Sequence, residues 1–414
     1  MEVKQAKFIG PWRLLALLSS AFVLNYVDRQ IVFTIFPLLH HELGFSDLQL
    51  GLAGSLFTWT YSFCMPIAGR LSDVWPRQRL VVGAVAMWSL ATLGTALSHS
   101  AIQFLCWRVV MGFSESLYVP AAIGMITTAH SGPTRSRALS VHGFAQFTGI
   151  TLGGWYGGWA AEHFGWRWGF GLLAMTGVLY AAFLTTQFRG FQAAIVTKGH
   201  GAVRDLFRSG CYIALCIAFL LFCSMLWMLY AWLPNHIFET FHLSLSQSGL
   251  NATLYLQASS AIGVLIGGVL GDRLSKRSED GRFNIVAIGL FSCAPFAIAI
   301  YAATSLQLLK ISACGFGIFA GCVAGNVFAT LPEVVSRKNF GLATGLLNLA
   351  GGLGAGAAIF LAGLLRFSFT NARLMMIGGA SAMIAAVVLF LIVRSNFDCE
   401  RELVEVPLSD QKVL

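Results

Sequence analysis

The feature that most constrains the fold is a series of long apolar runs separated by short polar gaps. A helix needs about 20 mainly apolar residues to cross the hydrocarbon core of a bilayer, and backbone groups in lipid must bond within their own segment. The sequence therefore predicts an all-α polytopic membrane protein with twelve transmembrane helices. We number the runs spans 1 to 12; they cover residues 14–39, 49–69, 80–98, 101–129, 138–161, 166–187, 210–234, 247–270, 283–304, 307–332, 341–365 and 371–394.

Composition supports this reading and excludes several classes of protein. Hydrophobic residues make up 57% of the 414 residues and charged residues 11%, whereas soluble proteins carry about 25% charged residues. The net charge of +9 comes with no zinc spacing or contiguous basic arm, so no nucleic-acid partner is expected. The nine cysteines include no C-x-x-C pair and are expected to be free apolar thiols. No metal or cofactor site is predicted.

Enzymatic and ATP-driven functions find no support in the sequence. There is no phosphate-binding G-x-x-x-x-G-K-[ST] loop, and no nucleophile with a base and an orienting group is visible. We therefore expect neither a catalytic site nor an enzyme.

Positive charge follows the gaps in a regular alternation. Lys and Arg are concentrated in the gaps after spans 2, 4, 6, 8 and 10, and they are scarce in the intervening gaps. Because cytoplasmic loops carry the excess of Lys and Arg, the even-numbered gaps and both termini are predicted to lie in the cytoplasm. We expect a multi-pass protein of the plasma (inner) membrane.

The two halves of the chain repeat one another. Phe45–Leu52 resembles Leu243–Leu250 at an offset of 198, and Gly69, Asp73 and Arg77 match Gly268, Asp272 and Lys276 at an offset of 199. Parallel six-helix halves around a central cavity are one of the known transporter plans. We predict an N-terminal six-helix bundle at 1–187, a cytoplasmic linker at 188–209, a C-terminal six-helix bundle at 210–394 and a cytoplasmic tail at 395–414.

The gap after span 2 has a distinctive sequence. Its segment 69–79, GRLSDVWPRQR, is similar to the loop motif between helices 2 and 3 of major facilitator superfamily transporters, although Val74 and Pro76 depart from the usual basic residue and glycine. The resemblance implies the major facilitator fold and a gating role for Gly69, Asp73, Arg77 and the repeat-related Asp272. The alternative is that these arginines only satisfy the positive-inside rule.

Three further motifs narrow the resemblance. N-Y-V-D-R at 25–29, R-V-V-M-G-F-S-E at 108–115 and G-L-A-T-G-L-L-N at 341–348 resemble motifs of the anion:cation symporter group, whose members take up sugar acids and other organic anions with protons. The first two are shared with Spinster-type lipid transporters, whereas the third favours the anion symporters.

Four charged residues lie well inside the first six spans: Asp28, Arg29, Arg108 and Glu115. Because each unpaired charge at mid-bilayer costs about 2.5–3.5 kcal/mol, these groups should pair or face a wet cavity. Arg108 and Glu115 are seven residues apart on one helix face, and Asp28 could reach them. Two carboxylates that share Arg108 would make a proton-coupling site. One of them would stay ionised and pair with the arginine. The alternative is a static triad that fixes span 1 against span 4.

The remaining arginine, Arg29, is predicted to bind a substrate carboxylate in a bidentate hydrogen bond. Pairing with Glu115 or with a backbone carbonyl is the alternative. By resemblance, Tyr61, Gln146 and Asn348 would contact substrate hydroxyl groups, and Tyr26 is a weaker candidate for the same pocket. Weaker candidates for the pocket or for a second titrating group are Trp227, Tyr230, Asn326 and His142.

Taken together, the sequence predicts a monomeric proton-coupled symporter of a small organic anion, surrounded by membrane lipids. A Spinster-like exporter of lysolipids or other amphiphiles would use Asp28, Arg108 and Glu115 equally well. A non-transporting membrane sensor is a third reading.

Overall fold

The computed structural model describes residues 9–130, 132–189, 206–336, 339–366 and 371–405. The described residues form helices and no strand. The helices are α1 (Pro11–Thr34), α2 (Phe36–Leu43), α3 (Asp47–Val74), α4 (Arg77–Ala96), α5 (Ala101–Ser116), α6 (Tyr118–Ala129), α7 (Gly132–Phe164), α8 (Trp166–Gln187), α9 (Gly210–Phe241), α10 (Leu245–Ser275), α11 (Gly281–Ala302), α12 (Leu306–Asn326), α13 (Leu331–Val334), α14 (Phe340–Leu364) and α15 (Asn371–Glu405).

Every predicted span coincides with a helix or with a broken pair of helices, which confirms the all-α membrane fold. Nine helical segments of the described chain are long and apolar enough to cross a membrane, or ten when the bent pair α1–α2 is one span. The other two, α3 and α7, contain 28 and 33 residues but carry many hydroxyl, aromatic and glycine residues, which lower their hydropathy.

Two spans are interrupted where the apolar pattern predicts continuity, and a proline follows each break within three residues. The chain bends by 59° between α1 and α2, next to Pro37, and span 4 breaks at Leu117, three residues before Pro120. Proline has no N–H and clashes with the carbonyl four residues earlier, which weakens the helix at both places. Proline alone does not end a helix here, because Pro66, Pro234 and Pro295 lie inside continuous helices. Span 10 also ends early, at Asn326 and not at the expected 332.

The eight cysteines whose side chains are described are free thiols, as their spacing predicted. Inter-residue contacts divide the described chain into two compact units. The first unit comprises the described parts of Met1–Lys198, Tyr230–Leu254 and Ile359–Leu364; the second comprises those of Gly199–Leu229, Tyr255–Ala358 and Leu365–Leu414. The bundle boundaries expected from the sequence stay a prediction, and 190–205 of the predicted linker lies outside the described residues.

In the first unit, α7 packs through two separate stripes of glycine. Gly149, Gly153 and Gly157 face α1 so closely that an added Cβ at Gly153 would lie 2.9 Å from the Val27 carbonyl oxygen. Small residues let helix backbones approach in this way. This contact fixes the face of α1 opposite to the charged residues.

The second stripe, Gly154 and Gly158, faces the first turns of α10. A Cβ added at Gly249 would lie much closer to the Gly154 carbonyl oxygen than van der Waals contact allows. The Glu162 carboxylate accepts a hydrogen bond from the Ser246 amide at 2.9 Å and so satisfies a free N–H of the α10 N-terminus.

In the second unit, α12 packs against α10 in a similar way. Asn326 donates to the Gly267 and Cys322 carbonyl oxygens, both at 2.9 Å. The weaker pocket candidate Asn326 is therefore a bridge between these two helices.

We expect Gly249→Ala to lower the free energy of unfolding by about 1–3 kcal/mol, because the new methyl group overpacks a backbone contact. Gly268→Ala, on the same helix, is the matched control, since nothing lies within 4 Å of a Cβ there. That control should be neutral or stabilising by up to about 1 kcal/mol. Thermal unfolding of the purified variants in detergent measures both; equal melting temperatures would contradict the packing argument.

Candidate functional site

Four helices of the first unit bring the predicted charged residues together. Asp28 and Arg29 lie on α1, and Arg108 and Glu115 lie on α5; all four are buried, with at most 3% of the residue surface exposed. The α3 and α4 helices complete the surroundings with Phe57, Tyr61 and Thr92, as described below. The structure thus places the four charged residues in one unit, away from solvent.

Arg29 forms an ion pair with Glu115. Its Nε donates to Glu115 Oε2 at 2.6 Å, and the two side chains are 4% and 0% exposed. This is the alternative that the sequence left open for Arg29, and it differs from the expectation that Glu115 pairs with Arg108. The reason lies in helix geometry: seven residues place Arg108 and Glu115 on one face but about 10 Å apart along the axis.

Arg108 is held by other groups. Its Nε donates to the Ala53 carbonyl oxygen at 2.8 Å, and its Nη1 lies 2.9 Å from Met111 Sδ. The Ala53 contact ties α5 to α3. Among the described residues, no carboxylate lies within ion-pair distance of Arg108.

Asp28 is paired with a hydroxyl group. Thr92 Oγ1 of α4 lies 2.8 Å from Asp28 Oδ1, and the described residues offer this carboxylate no ion pair. Thr92 itself is fully buried. The predicted triad is therefore two separate arrangements: an Arg29–Glu115 ion pair and an Asp28–Thr92 hydrogen bond.

Aromatic rings contact both guanidinium groups. Both contact the Phe57 ring, whose centroid lies 4.9 Å from Arg29 Cζ and 4.6 Å from Arg108 Cζ. Arg29 Cζ also lies 4.8 Å from the Tyr26 ring centroid and 4.3 Å from that of Tyr61. Cation–π contacts of this kind are strongest away from water, so the rings help to hold the arginines in place.

Several buried polar atoms at this site make no hydrogen bond to the described residues. They include Arg29 Nη2 and Arg108 Nη2, whereas the Asn25 amide lies close to Glu115 and interacts with it. Asn25 is 0% exposed and lies one turn before Arg29 on α1. Buried polar groups normally find partners, so this cluster has the donors and acceptors to bind a small polar or anionic ligand.

The other predicted contact residues lie outside this cluster. Gln146 is half-buried on α7 and forms no side-chain hydrogen bond with the described residues. Asn348, exposed on α14 of the second unit, donates to the Thr344 carbonyl oxygen at 2.9 Å. His142 stacks on Phe22 at 4.5 Å. The carbonyl oxygen of Tyr230 accepts from Gln30 at 3.1 Å.

The predicted gating residues form an arginine clamp in the first unit. Arg77 lies 3.8 Å from Asp73 and donates to the carbonyl oxygens of Ser72 and Gly124 at 3.1 and 3.3 Å. A Cβ at Gly124 would lie 2.7 Å from Arg77 Nε, so a larger residue there would displace the Arg77 side chain. Gly69 accepts from Ser72 Oγ at 2.8 Å through its carbonyl oxygen.

The second unit repeats this clamp with Arg282. Arg282 pairs with Asp272 at 2.8 Å and with Glu333 at 3.6 Å, and it donates to the Ala329 carbonyl oxygen at 3.4 Å. Arg282 lies 205 positions after Arg77, and Ala329 lies 205 positions after Gly124. The sequence repeat had pointed to Lys276 as the counterpart of Arg77, so this arginine was missed.

Sequence reasoning also missed Phe57, Thr92 and Asn25. Phe57 and Thr92 look like ordinary members of apolar spans, and only the packing of α3 and α4 against α1 gives them charged neighbours. Asn25 is part of the N-Y-V-D-R motif, and this position in the motif could have identified it as a site residue. Among the described residues, no group of three or more His, Cys, Asp or Glu side chains is placed to hold a metal ion.

Comparison with known proteins assigns the family. The Major Facilitator Superfamily profile matches residues 18–234 and 215–404, so the chain belongs to this superfamily. Its members are transporters, and the protein is a multi-pass membrane transporter of a small molecule, not an enzyme.

Similar proteins share limited sequence identity over most of the chain. The "Probable sulfoacetate transporter SauU" of Cupriavidus necator is 25% identical over 379 residues, covering 82% of this chain and 84% of that protein. The "D-galactonate transporter" of Escherichia coli is 22% identical over 412 residues, covering 92% and 94%. Human "Protein spinster homolog 1" is 32% identical over 143 residues, covering 34% and 27%.

A solved structure shares the fold. A bacterial homologue of the human lysosomal transporter Spinster, in an inward-facing and occupied conformation, superposes with a TM-score of 0.79 at 19% identity. The alignment covers 95% of this chain and 99% of that chain. The major facilitator fold implied by the resemblance of segment 69–79 is therefore confirmed.

We expect Glu115→Gln to lower the free energy of unfolding by about 3–5 kcal/mol, because it leaves the buried Arg29 charge without its counter-ion. Glu42→Gln is the matched control: the Glu42 and Arg167 side chains are 45% and 37% exposed, and such pairs contribute about 0–1 kcal/mol. Thermal unfolding in detergent compares them. A loss in Glu115→Gln no larger than in the control would mean that the ion pair is not the stabilising contact described here.

Proposed function

We propose that the protein is a proton-coupled symporter that moves a small organic anion, such as a sugar acid, across the plasma (inner) membrane by alternating access. The observation that carries this proposal is the pair of buried guanidinium groups that both contact the Phe57 ring, each with an Nη2 group unused by the described residues. Buried charge in a membrane bundle is costly and usually functional. Arginine is also the side chain best suited to bind a carboxylate with two parallel hydrogen bonds.

The names of the relatives support an anionic substrate. Sulfoacetate and D-galactonate are small anions with a sulfonate or carboxylate group that a guanidinium can bind. The two relatives named for them each cover more than four-fifths of this chain. We infer that the substrate of this protein belongs to the same chemical class.

The Arg29–Glu115 ion pair suggests how proton and anion are coupled. While Glu115 is ionised, it holds Arg29 through a 2.6 Å contact and competes with any anion. A proton that binds Glu115 removes its charge, and Arg29 is then free to pair with the substrate carboxylate. When the proton leaves, the ion pair re-forms and the anion is released. Each exchange keeps the arginine paired, so neither step leaves an isolated buried charge.

The other predicted residues complete this proposal. Tyr26 and Tyr61, which already face Arg29, would contact the substrate near its carboxylate. Gln146 and Asn348 would bind its hydroxyl groups. Asp28 would serve as the second proton-linked carboxylate, with Arg108 as the neighbouring cation.

The arginine clamps would stabilise one end of each unit during the transport cycle. Asp73 with Arg77 and Asp272 with Arg282 are the charged pairs concerned. We further propose that the transporter is a monomer in contact with lipid and that both termini lie in the cytoplasm, because the basic residues concentrate in alternate gaps.

A Spinster-like function is the second candidate. It is favoured by the 32% identity to human spinster homolog 1 over 143 residues and by the presence of Asp28, Arg108 and Glu115. In that case the substrate would be a lysolipid or another amphiphile, exported with proton coupling.

Proteoliposome uptake separates these functions. With an inward proton gradient, we expect the wild type to accumulate labelled D-galactonate or sulfoacetate. Asp28→Asn and Glu115→Gln should lose gradient-driven accumulation but keep counterflow exchange, because exchange needs no net proton movement. Glu42→Gln is the control and should behave as the wild type. Proton-dependent movement of a lysolipid, with no uptake of either anion, would replace this proposal with the Spinster-like one.

Direct binding tests the role of Arg29. We expect Arg29→Gln to weaken D-galactonate or sulfoacetate binding by about 10- to 100-fold, the value of one hydrogen bond to a charged group. Calorimetry on the purified protein measures the dissociation constant, with Arg167→Gln as the exposed control. Unchanged affinity in Arg29→Gln would remove Arg29 from the substrate site.

A further inference from the structure

The α4 helix carries three buried hydroxyl groups, and one of them differs from the others. Ser89, Thr92 and Thr95 each lie within hydrogen-bond distance of the carbonyl oxygen four residues earlier, at 2.7, 3.0 and 2.9 Å. This is the common way for a helix to satisfy a buried hydroxyl. Thr92 Oγ1 has a second neighbour, Asp28 Oδ1, at 2.8 Å.

One hydroxyl hydrogen cannot make a full, near-linear hydrogen bond to both neighbours at once. A threonine hydroxyl has one O–H to donate and two lone pairs to accept. If Thr92 donates to Asp28, its 3.0 Å contact with the Trp88 carbonyl oxygen carries no hydrogen from that hydroxyl. If Thr92 donates to Trp88, the contact with Asp28 is a hydrogen bond only when Asp28 is protonated and donates to Thr92 Oγ1.

We infer that Thr92 is a proton-linked hydrogen-bond switch that positions Asp28 in both of its protonation states. With Asp28 ionised, the Thr92 O–H donates to the carboxylate. When a hydronium ion transfers a proton to Asp28, one hydronium O–H bond breaks and a water molecule leaves; the new Asp28 O–H donates to Thr92 Oγ1, and the Thr92 hydrogen rotates to the Trp88 carbonyl oxygen. One O–H bond forms on Asp28, and no heavy atom of the protein has to move.

The inference goes beyond the proposed function and rests on the proton coupling proposed at Asp28. Thr92 does not touch the substrate in this scheme; it is a positioning residue that acts through Asp28. Its consequence is that Asp28 keeps the same side-chain geometry before and after protonation. A carboxylate with a fixed partner in both states can exchange its proton without a rearrangement of α1 against α4.

The electrostatic setting of Asp28 involves three further groups. Glu115 and Arg108 on α5 and Tyr156 on α7 are the charged or titratable side chains that interact with it. None of these is within hydrogen-bond distance of Asp28 among the described residues. The hydroxyl of Thr92 is therefore the group in direct contact with Asp28 when the protonation of Asp28 changes.

Infrared titration of the purified, reconstituted protein tests the switch without any substrate. The carboxylic-acid C=O band of Asp28 is identified by its loss in Asp28→Asn, and its intensity is followed against pH. We expect Thr92→Val, which keeps the shape and removes the hydroxyl, to move the midpoint to higher pH by about one unit. The hydrogen bond to the ionised carboxylate is the stronger of the two and is the one whose loss dominates.

Two variants separate the switch from a packing effect. Thr92→Ser keeps the hydroxyl and should retain the wild-type midpoint even if it is less stable. Thr95→Val removes the neighbouring buried hydroxyl, whose described contact is the Ala91 carbonyl oxygen, and should also retain it.

The inference is overturned if Thr92→Val titrates as the wild type, if Thr95→Val moves the midpoint as much, or if no band assignable to Asp28 changes with pH. Because the titration needs no substrate, a wild type that transports neither anion in proteoliposomes counts against the proposed function alone. If transport is observed, the pH of half-maximal counterflow should move with the infrared midpoint.

Discussion

A charge buried in a membrane bundle is costly unless it is paired and hydrogen-bonded, and four such charges lie on α1 and α5. Their arrangement meets this requirement with partners from several helices. Glu115 neutralises Arg29, the Ala53 carbonyl oxygen and the Phe57 ring hold Arg108, and Thr92 meets Asp28. Each of these contacts joins two helices. The partners of the buried charges therefore link α1, α3, α4 and α5. The chemistry of the site and the packing of the first unit have the same physical origin.

The fold could be predicted largely from the sequence because apolar length and internal repetition are local properties of the chain. Twelve runs, two internal matches at offsets of 198 and 199, and the resemblance of segment 69–79 were enough for the fold class. The breaks at Ile35 and Leu117 were missed, although Pro37 and Pro120 marked them. A span identified by hydropathy alone carries no information about whether its helix is continuous.

The site was predicted less completely, for a different reason. Intramembrane charges are few, so Asp28, Arg29, Arg108 and Glu115 could be identified at once. Which of them pair depends on side-chain reach across helices, and spacing along α5 suggested Arg108–Glu115 where the structure has Arg29–Glu115. Phe57 and Thr92 gave no signal, because an aromatic ring or a hydroxyl in an apolar span is normally a packing residue.

The two stripes of glycine on α7 have a consequence for how substitutions in this helix should be interpreted. Gly153 and Gly154 are neighbours in sequence, but successive side-chain directions in a helix differ by about 100°. An added Cβ at Gly153 meets α1, whereas one at Gly154 meets the Gly249 carbonyl oxygen of α10 at 2.7 Å. Any mutational survey that averages tolerance over a window of adjacent positions would merge two unrelated interfaces into one value. The effects of substitutions along α7 have to be grouped by the direction of each side chain around the helix axis before they can be assigned to a partner helix.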